Sequence, residues 1–485
     1  MIALPTPKRD ILDRRAEIVA ALSALVPGEG VIGDPTRLKP YETDGLSAYR
    51  QPPLAVVLPR TTAEVAAVLG YCHRNGIRVV PRGAGTSLSG GALPLEDSVV
   101  IGLMRMNRVL EVDLDDRLAV VEAGVTNLAI TRAVEGEGFF YAPDPSSQLA
   151  CMIGGNVMMN SGGAHCLKYG VTANNLLGLT FVTIEGEVIR LGGAHLDAAG
   201  YDWLGIVTGS EGQLGLVTEV TVRILRGPEG ARAMLAAFRS NEIAGEAVDA
   251  IIGSGVIPVA MEFMDRPCIH ACEAFAHAGY PLDAEALLII EVEGSVAEQD
   301  ALLGRIRDIC ARFDPISLKV SQSVEESAAI WKGRKGAFGA VGRISPDYLC
   351  MDGTIPTGEL PHVLRRIGEM STEYGLQVAK LTVPLSYNFL TMTDKPIWNE
   401  TMFHKFLGRL IDLSPLGKNF SAFFPIFILV PVFATAFGLY GKIRNICGFG
   451  DLLDDDEDDA GAYAGSGSWR EGRALIEREI QASSP

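Results

Sequence analysis

The residues Pro81-Arg82-Gly83-Ala84-Gly85-Thr86-Ser87-Leu88-Ser89-Gly90-Gly91 follow directly on the apolar run Ile77–Val80 and combine what a pyrophosphate requires. Glycines let a backbone come close to a ligand, and hydroxyls donate to phosphate oxygens. The spacing is neither the G-x-G-x-x-G of a dinucleotide turn nor the G-x-x-x-x-G-K-[ST] of a P-loop, so nicotinamide and nucleoside-triphosphate chemistry lose their main support. A second cluster follows: Pro143-Asp144-Pro145-Ser146-Ser147, Ile153-Gly154-Gly155-Asn156, Asn160-Ser161-Gly162-Gly163 and Lys168-Tyr169-Gly170. Recurrent glycine pairs cost backbone entropy that an ordinary helix or strand would not tolerate, so a large planar ligand lying against this backbone would account for them. The third element is Thr208-Gly209-Ser210-Glu211-Gly212, leading into Leu214–Glu219. Taken singly, the first loop reads equally as a tight structural turn and the third as a hairpin turn.

The elements that must position these loops can be read from periodicity. Residues 8–26 alternate charged and apolar positions at helical spacing and form a lead-in, with GEGVIGDPTRLKPYETD a turn-rich continuation. From Leu54 the pattern predicts strand (LAVVLP), helix (TTAEVAAVLGYCHRNG) and strand (IRVVPRG), the helix opened by Thr61, Thr62 and Glu64 and closed near Gly76. SVVIGL, RVLEVDL and LAVVEAG predict a second sheet, NLAITRAVEGEG a further helix, and LLGLTFVTIEGEVIRLG and EGQLGLVTEVTVRIL more strands. After Gly227, long helices interleave with strands such as ALLIIEVEG, which predicts a separate α+β domain. Cys268 and Cys272 fall on one face of an apolar helix running to about His277, the alternative being a metal clip.

Composition narrows the function. The 485 residues are 48% hydrophobic with a formal net charge of −17, which suits a packed multidomain enzyme and opposes a nucleic-acid partner, since that needs a basic face. An N-terminus interrupted by charges is not a signal-peptide core, and the scattered cysteines suit a reducing cytosol. A cytoplasmic protein is expected.

The three glycine-rich elements, in this order and spacing, resemble the FAD-binding domain of the vanillyl-alcohol-oxidase and p-cresol-methylhydroxylase (PCMH) superfamily. RGAGTSLSGG, YAPDPSSQ, IGGNV, SGGAHCLKYG and TGSEGQLGLVTEV are similar to its glycolate-oxidase D-subunit and D-lactate-dehydrogenase branch, over about residues 40 to 380. The resemblance implies an α+β fold in which a two-subdomain PCMH-type FAD-binding domain (51–227) follows a helical lead-in (1–50) and precedes an α+β cap domain (228–380). Arg82, Gly83, Ala84, Gly85, Thr86, Ser87, Leu88 and Gly90 would wrap the FAD pyrophosphate. Pro143, Ser146, Gly154, Gly155, Asn156, Gly162, Gly163, Tyr169 and Gly170 would line the flavin and the ADP ribose, with Glu211, Gly212 and the Val217 backbone at the adenine. Thr86 stands where some members carry a flavin-tethering histidine, so the FAD is expected to be non-covalent.

In the cap, WKGRKGAF (331–338) and CMDGTIP (350–356) also resemble this branch, in which an arginine binds the substrate carboxylate; Arg334 is the best match, the alternative being a surface basic cluster. His165 is a candidate proton acceptor facing the flavin, or else a hydrogen-bonded structural histidine. The implied activity is oxidation of a small D-2-hydroxy acid of the glycolate or D-lactate type. Its electrons would pass to a quinone or to partner subunits carrying iron–sulfur or a second flavin.

The resemblance then breaks off. The branch continues past the helix matching LPHVLRRIGEMSTEYGLQVA with H-A-G-D-G-N-x-H and later G-E-H-G, which supply metal ligands and a catalytic histidine. Here KLTVPLSYNFLTMTDKP follows Ala379 and only His404 remains downstream, so no metal site is expected. A frameshift, fusion or recombination would account for the change. A flavin-binding subunit with impaired catalysis is the alternative function. The divergent segment 381–485 holds an uncharged apolar run, Phe420 to Tyr440, longer than the roughly 18 residues that make a membrane-span candidate, though Pro425 and Pro431 would kink it. An acidic cluster from Asp451 to Asp459 reads as a solvated tail.

Overall fold

A computed structural model describes residues 4–392, apart from 48, 196–199, 344, 346, 347, 354, 355, 384 and 385. The first lobe contains two main sheets over one core, and a two-stranded ribbon of Phe139–Phe140 and Leu225–Arg226. In the first sheet the strand order is Val31–Ile32, Ala55–Val57, Ser98–Gly102, Arg78–Arg82, with both pairings to Ser98–Gly102 parallel. Ser98–Gly102 therefore inserts between the two strands of the strand-helix-strand unit instead of starting the second sheet, as the sequence pattern had suggested. It is buried along its whole length, and a near-continuous apolar run is what a central parallel strand needs. The intervening helix Thr62–Arg74 begins as expected: the Thr61 hydroxyl accepts from Glu64 N at 3.2 Å, and Glu64 Oε2 accepts from Arg60 N at 2.6 Å.

The second sheet is antiparallel, in the order Val109–Asp113, Leu118–Glu122, Gly215–Arg223, Leu176–Thr183, Val188–Gly192. Ile18 and Leu22 of the helix Arg15–Leu25 are fully buried in the same core as both sheets. Such side chains each contribute about 1.5–3 kcal/mol, so the lead-in is part of the lobe, not an appendage.

The second lobe is one seven-stranded antiparallel sheet: Ser317–Val320, Ala231–Phe238, Ala286–Glu293, Ala260–Asp265, Gln377–Val383, Ser386–Met392, Tyr348–Gly353. It continues past residue 380, because Ser386–Met392 pairs on both sides. Alternation along the strands divides the core. Leu235, Met264, Leu287 and Ile289 face the helices Arg266–Ala276 and Val324–Lys335, while Met234, Phe263, Leu288 and Ile290 face Asn241–Gly253, Val296–Cys310 and Leu360–Tyr374. No helix of the described residues is long and apolar enough to cross a membrane; the run from 420 to 440 lies outside them, as does the acidic cluster.

Candidate functional site at the lobe interface

The loop after Arg78–Arg82 is clasped from outside by residues 43–46. Arg82 is buried and donates to the carbonyls of Thr43 (2.8 Å) and Ala92 (3.2 Å). Asp44 accepts from Ala92 N at 3.1 Å and from Leu46 N at 2.9 Å; burial pushes its carboxyl upward, against the pull of those two amides. Gly45 lies so close that a Cβ would meet Ser87 O at 2.7 Å. At Gly85, where φ is +76°, a Cβ would meet the Arg82 guanidinium at 2.2 Å. A side chain at 85 would therefore evict Arg82 from beneath the loop. Arg82 itself holds the loop and does not extend over it. Ala84, Ser87, Leu88 and Gly90 are half-buried and Thr86 is exposed, which leaves one rim of the loop open to a ligand.

The other two glycine elements converge on this loop. A Cβ at Gly83 would touch Met152 at 3.4 Å, and one at Gly212 would meet Pro81 at 2.9 Å. Gly209 N and Glu211 N donate to the carbonyls of Val157 (2.9 Å) and Met158 (2.8 Å) at the end of the helix Ile153–Met159. The Thr208–Gly212 segment follows the helix Trp203–Val207, so it is not a hairpin turn. Burial raises the Glu211 carboxyl. Just beyond Val217 the strand is bulged at Thr218, whose carbonyl accepts from Ala123 N at 2.9 Å.

Within the helix, Gly154 sits on Ala123, while a Cβ at Gly155 would project into open space. Asn156 is committed inward: it accepts from Asn127 Nδ2 at 3.1 Å, and Asn127 also donates to the carbonyl of buried Pro143 at 3.0 Å. Ser146 is exposed. Gly162 packs on Val171, and a Cβ at Gly163 or Gly170 would collide with Asp144 or Asn174 at 2.4 Å. The combination of a closely approachable backbone, an open rim and an open face at Gly155 fits a dinucleotide laid along the loops.

The cap sheet faces this segment with carboxylates. Glu262, Glu291 and Glu293 alternate with core residues, and the register Ala260↔Glu291, Glu262↔Ile289 puts Glu262 and Glu291 on one face. His165 Nδ1 lies 2.8 Å from Asp144 Oδ2 and Nε2 lies 2.9 Å from Glu291 Oε2. Trp331 Nε1 donates to Glu291 Oε1 at 2.9 Å, and its ring centroid is 5.8 Å from that of His165. Lys335 Nζ approaches Asp144 at 3.7 Å. Lys168 and the Tyr169 hydroxyl both contact Glu293. Arg334 Nε and Nη2 both reach Glu262 Oε2, at 2.9 and 2.8 Å. The expected carboxylate anchor thus already holds a carboxylate of its own protein.

Carboxylates only accept, so both ring nitrogens of His165 donate and the ring is an imidazolium. Burial opposes that charge, but attraction and hydrogen bonding from Asp144, then from Glu291, outweigh it and push the pKa up to about 10. Burial would raise Asp144, yet His165 holds it below its ordinary value. Of the two readings of His165, this geometry matches the hydrogen-bonded structural one: with both ring nitrogens occupied, the ring joins Asp144 of the first lobe to Glu291 of the cap. Because its folded pKa is raised from 6.5, its contribution to stability is fully present below that value and is lost as pH rises through about 10. Melting temperatures should therefore place the parent above a His165→Gln variant at pH 6, with the gap closing towards pH 10. A gap that stays constant would refute the imidazolium.

Asp44, Asp144, Glu262 and Glu291 were not singled out from the sequence. Their only signal was an acid inside an apolar strand (AMEFMD and ALLIIEVE, two in each) or beside a turn glycine or proline. Among the described residues no group of three or more potential ligands could hold a metal, and Cys268 and Cys272 lie buried 3.9 Å apart on one helix face.

Fold and site together define a two-lobed, PCMH-type FAD-binding oxidoreductase. Residues 53–192 match the family model described as FAD binding domain, and 227–383 match the FAD linked oxidases, C-terminal domain. The chain belongs to the FAD-linked oxidase family that includes the glycolate oxidase subunits: it is 50% identical to glycolate oxidase subunit GlcD of Escherichia coli over 76% of this chain and 74% of the relative. Against the GlcD of Bacillus subtilis it is 38% identical over 70% and 72%. A D-lactate dehydrogenase of Anaerostipes hadrus is 27% identical over 75% and 78%. The fold is similar to that of 4-ethylphenol oxidase from Gulosibacter chungangensis, with a TM-score of 0.70 at 16% identity over 84% of this chain and 89% of that one. Residues 373–440 match a model described as LMBR1-like membrane protein.

Proposed function

We propose that this protein oxidises a small D-2-hydroxy acid, of the glycolate or D-lactate type, in the interface between the FAD-binding lobe, which ends at about residue 227, and the cap that follows it. The carrying observation is that Arg334 reaches that interface on the last turn of Val324–Lys335, beside the glycine segment that ends at Gly170. FAD, when bound, supplies the hydride acceptor. The three loops hold it through backbone contacts. Arg334 grips the substrate carboxylate and fixes the hydroxyl-bearing carbon, a gain in orientation and not in chemistry. The imidazolium of His165 fixes the glycine segment against the cap. Electrons leave to a quinone or a partner subunit carrying iron–sulfur or a second flavin, in the cytoplasm, with membrane contact through 420–440.

Anaerobic addition of glycolate, D-lactate or D-2-hydroxyglutarate to the yellow protein tests this: flavin bleaching is expected, and a dye acceptor added afterwards should take up the electrons and restore the colour. A specific observation favours a second reading. The metal motifs are missing from the sequence and His165 is occupied on both nitrogens, as suits a flavin-binding subunit with impaired catalysis; an unbleached flavin with all three acids would select it. Since Thr86 replaces the tethering histidine, acid precipitation should release all of the flavin. Colour retained in the denatured pellet would show a covalent bond.

A further inference from the structure

Glu262 is a carboxylate where the substrate's carboxylate is expected. It is 1% exposed, and both nitrogens that Arg334 offers it converge on one oxygen, Oε2. The groups facing it come from the first lobe, the adjacent strand Ala286–Glu293 and two helices, while Lys380 of the other adjacent strand, Gln377–Val383, is held 3.5 Å from Asp265. Asp144, His165 and Cys166 come from the first lobe, and Glu291 from the adjacent strand. Arg334 and Lys335 come from the helix Val324–Lys335, and Cys268 and Cys272 from Arg266–Ala276 sense the same arginine. Three carboxylates, Asp144, Glu262 and Glu291, are matched by the cations His165, Arg334 and Lys335. An arriving hydroxy-acid carboxylate adds a negative charge, and among the described residues this cluster has no further cation to meet it; an unpaired charge is costly in a buried site.

We infer, on the reading of Arg334 as carboxylate anchor, that Glu262 is a built-in competitor which the substrate displaces from Arg334, with one solvent proton taken up by the Glu262 carboxylate. No bond other than this O–H is made or broken. Burial already pushes the Glu262 carboxyl up, and Arg334 only partly offsets it. Without the guanidinium the pKa rises further, so the complex binds one more proton than the free protein. Affinity for the acid is then highest below the ionisation of Glu262 in the free protein, and above it falls by about tenfold per pH unit.

The probe is 2-hydroxyisobutyrate, which has the carboxylate and hydroxyl but no α-hydrogen to lose. The flavin-loaded protein is titrated at a series of pH values by flavin absorbance, and proton uptake is read with an indicator dye in weak buffer. Expected are about one proton per ligand bound, a Kd rising about tenfold per pH unit, and in Glu262→Gln no uptake and a pH-independent Kd below that of the parent at high pH. Weaker binding by Glu262→Gln at every pH, with no uptake by the parent, would mean that Glu262 only orients Arg334 and would overturn the inference. Uptake that persists in the variant would assign the proton to Asp144 or Glu291 and overturn it equally. If the variant does not retain flavin, the dye measurement on the unaltered protein decides. A flavin spectrum unmoved by the ligand at any pH would sink the Arg334 reading itself, and the inference with it.

Discussion

A Gly85→Val variant is expected to purify without flavin. At φ +76° a β-branched side chain costs on the order of 1–3 kcal/mol in backbone strain. Its Cβ would stand 2.2 Å from Arg82 Nη2, so Arg82 must leave the carbonyls of Thr43 and Ala92, each loss about 1–3 kcal/mol in a buried setting. At 1.4 kcal/mol per decade, the ordered loop should become roughly a hundredfold or more rarer, with FAD affinity falling in step. Gly76→Ala is the control: its φ is +64° but nothing lies within 4 Å, so it should lose some stability and keep its flavin. Flavin absorbance per chain measures both, and full retention by Gly85→Val would show that the clasp by residues 43–46 does not govern FAD binding.

Changing Arg334 to Met should lower kcat/KM by tenfold to several hundredfold, the equivalent of about 1.5–3 kcal/mol for a charge-assisted bidentate contact, with the flavin spectrum unchanged. The geometry adds a second effect. Glu262 would be left buried without its partner, and breaking such a pair costs about 3–5 kcal/mol unless the carboxyl takes a proton. The double variant Arg334→Met, Glu262→Gln should therefore recover stability without recovering kcat/KM, which separates anchoring from folding. Should Arg334→Met oxidise hydroxy acids as well as the parent, the anchor is another cap cation, Lys335 beside Asp144 or the exposed Arg343.

Much of the first lobe was legible because its signals are local. Thr61 and Glu64 cap a helix from within four residues, and Gly76 closes it with a positive φ. The strand Ser98–Gly102 was misplaced because an apolar run states that a strand is buried, not which sheet buries it. The lead-in looked separable because its buried faces are short, Ile11 on the helix Arg9–Asp13 and Ile18 and Leu22 on Arg15–Leu25, and only the sheets beneath reveal the core they complete. The hairpin alternative for Thr208–Gly212 failed for a similar reason: the strand Gly215–Arg223 finds its partners at Leu118–Glu122 and Leu176–Thr183, not next door.

The sequence by itself indicated the cofactor class, through the resemblance of three glycine-rich elements, in order and spacing, to an FAD-binding domain; the structure shows that glycines such as Gly85, Gly163 and Gly170 make room for Arg82, Asp144 and Asn174. The sequence also indicated Arg334 as an important cation of the cap. What that arginine and His165 are bonded to was decided by tertiary structure alone. Arg334 meets Glu262 across 72 positions of sequence, and His165 meets Glu291 across 126. Those partners are set by the register of the cap strands and by the docking of the cap on the glycine segment. An acid in an apolar strand carries no mark of the base it will meet, since burial makes the pairing obligatory without specifying the partner.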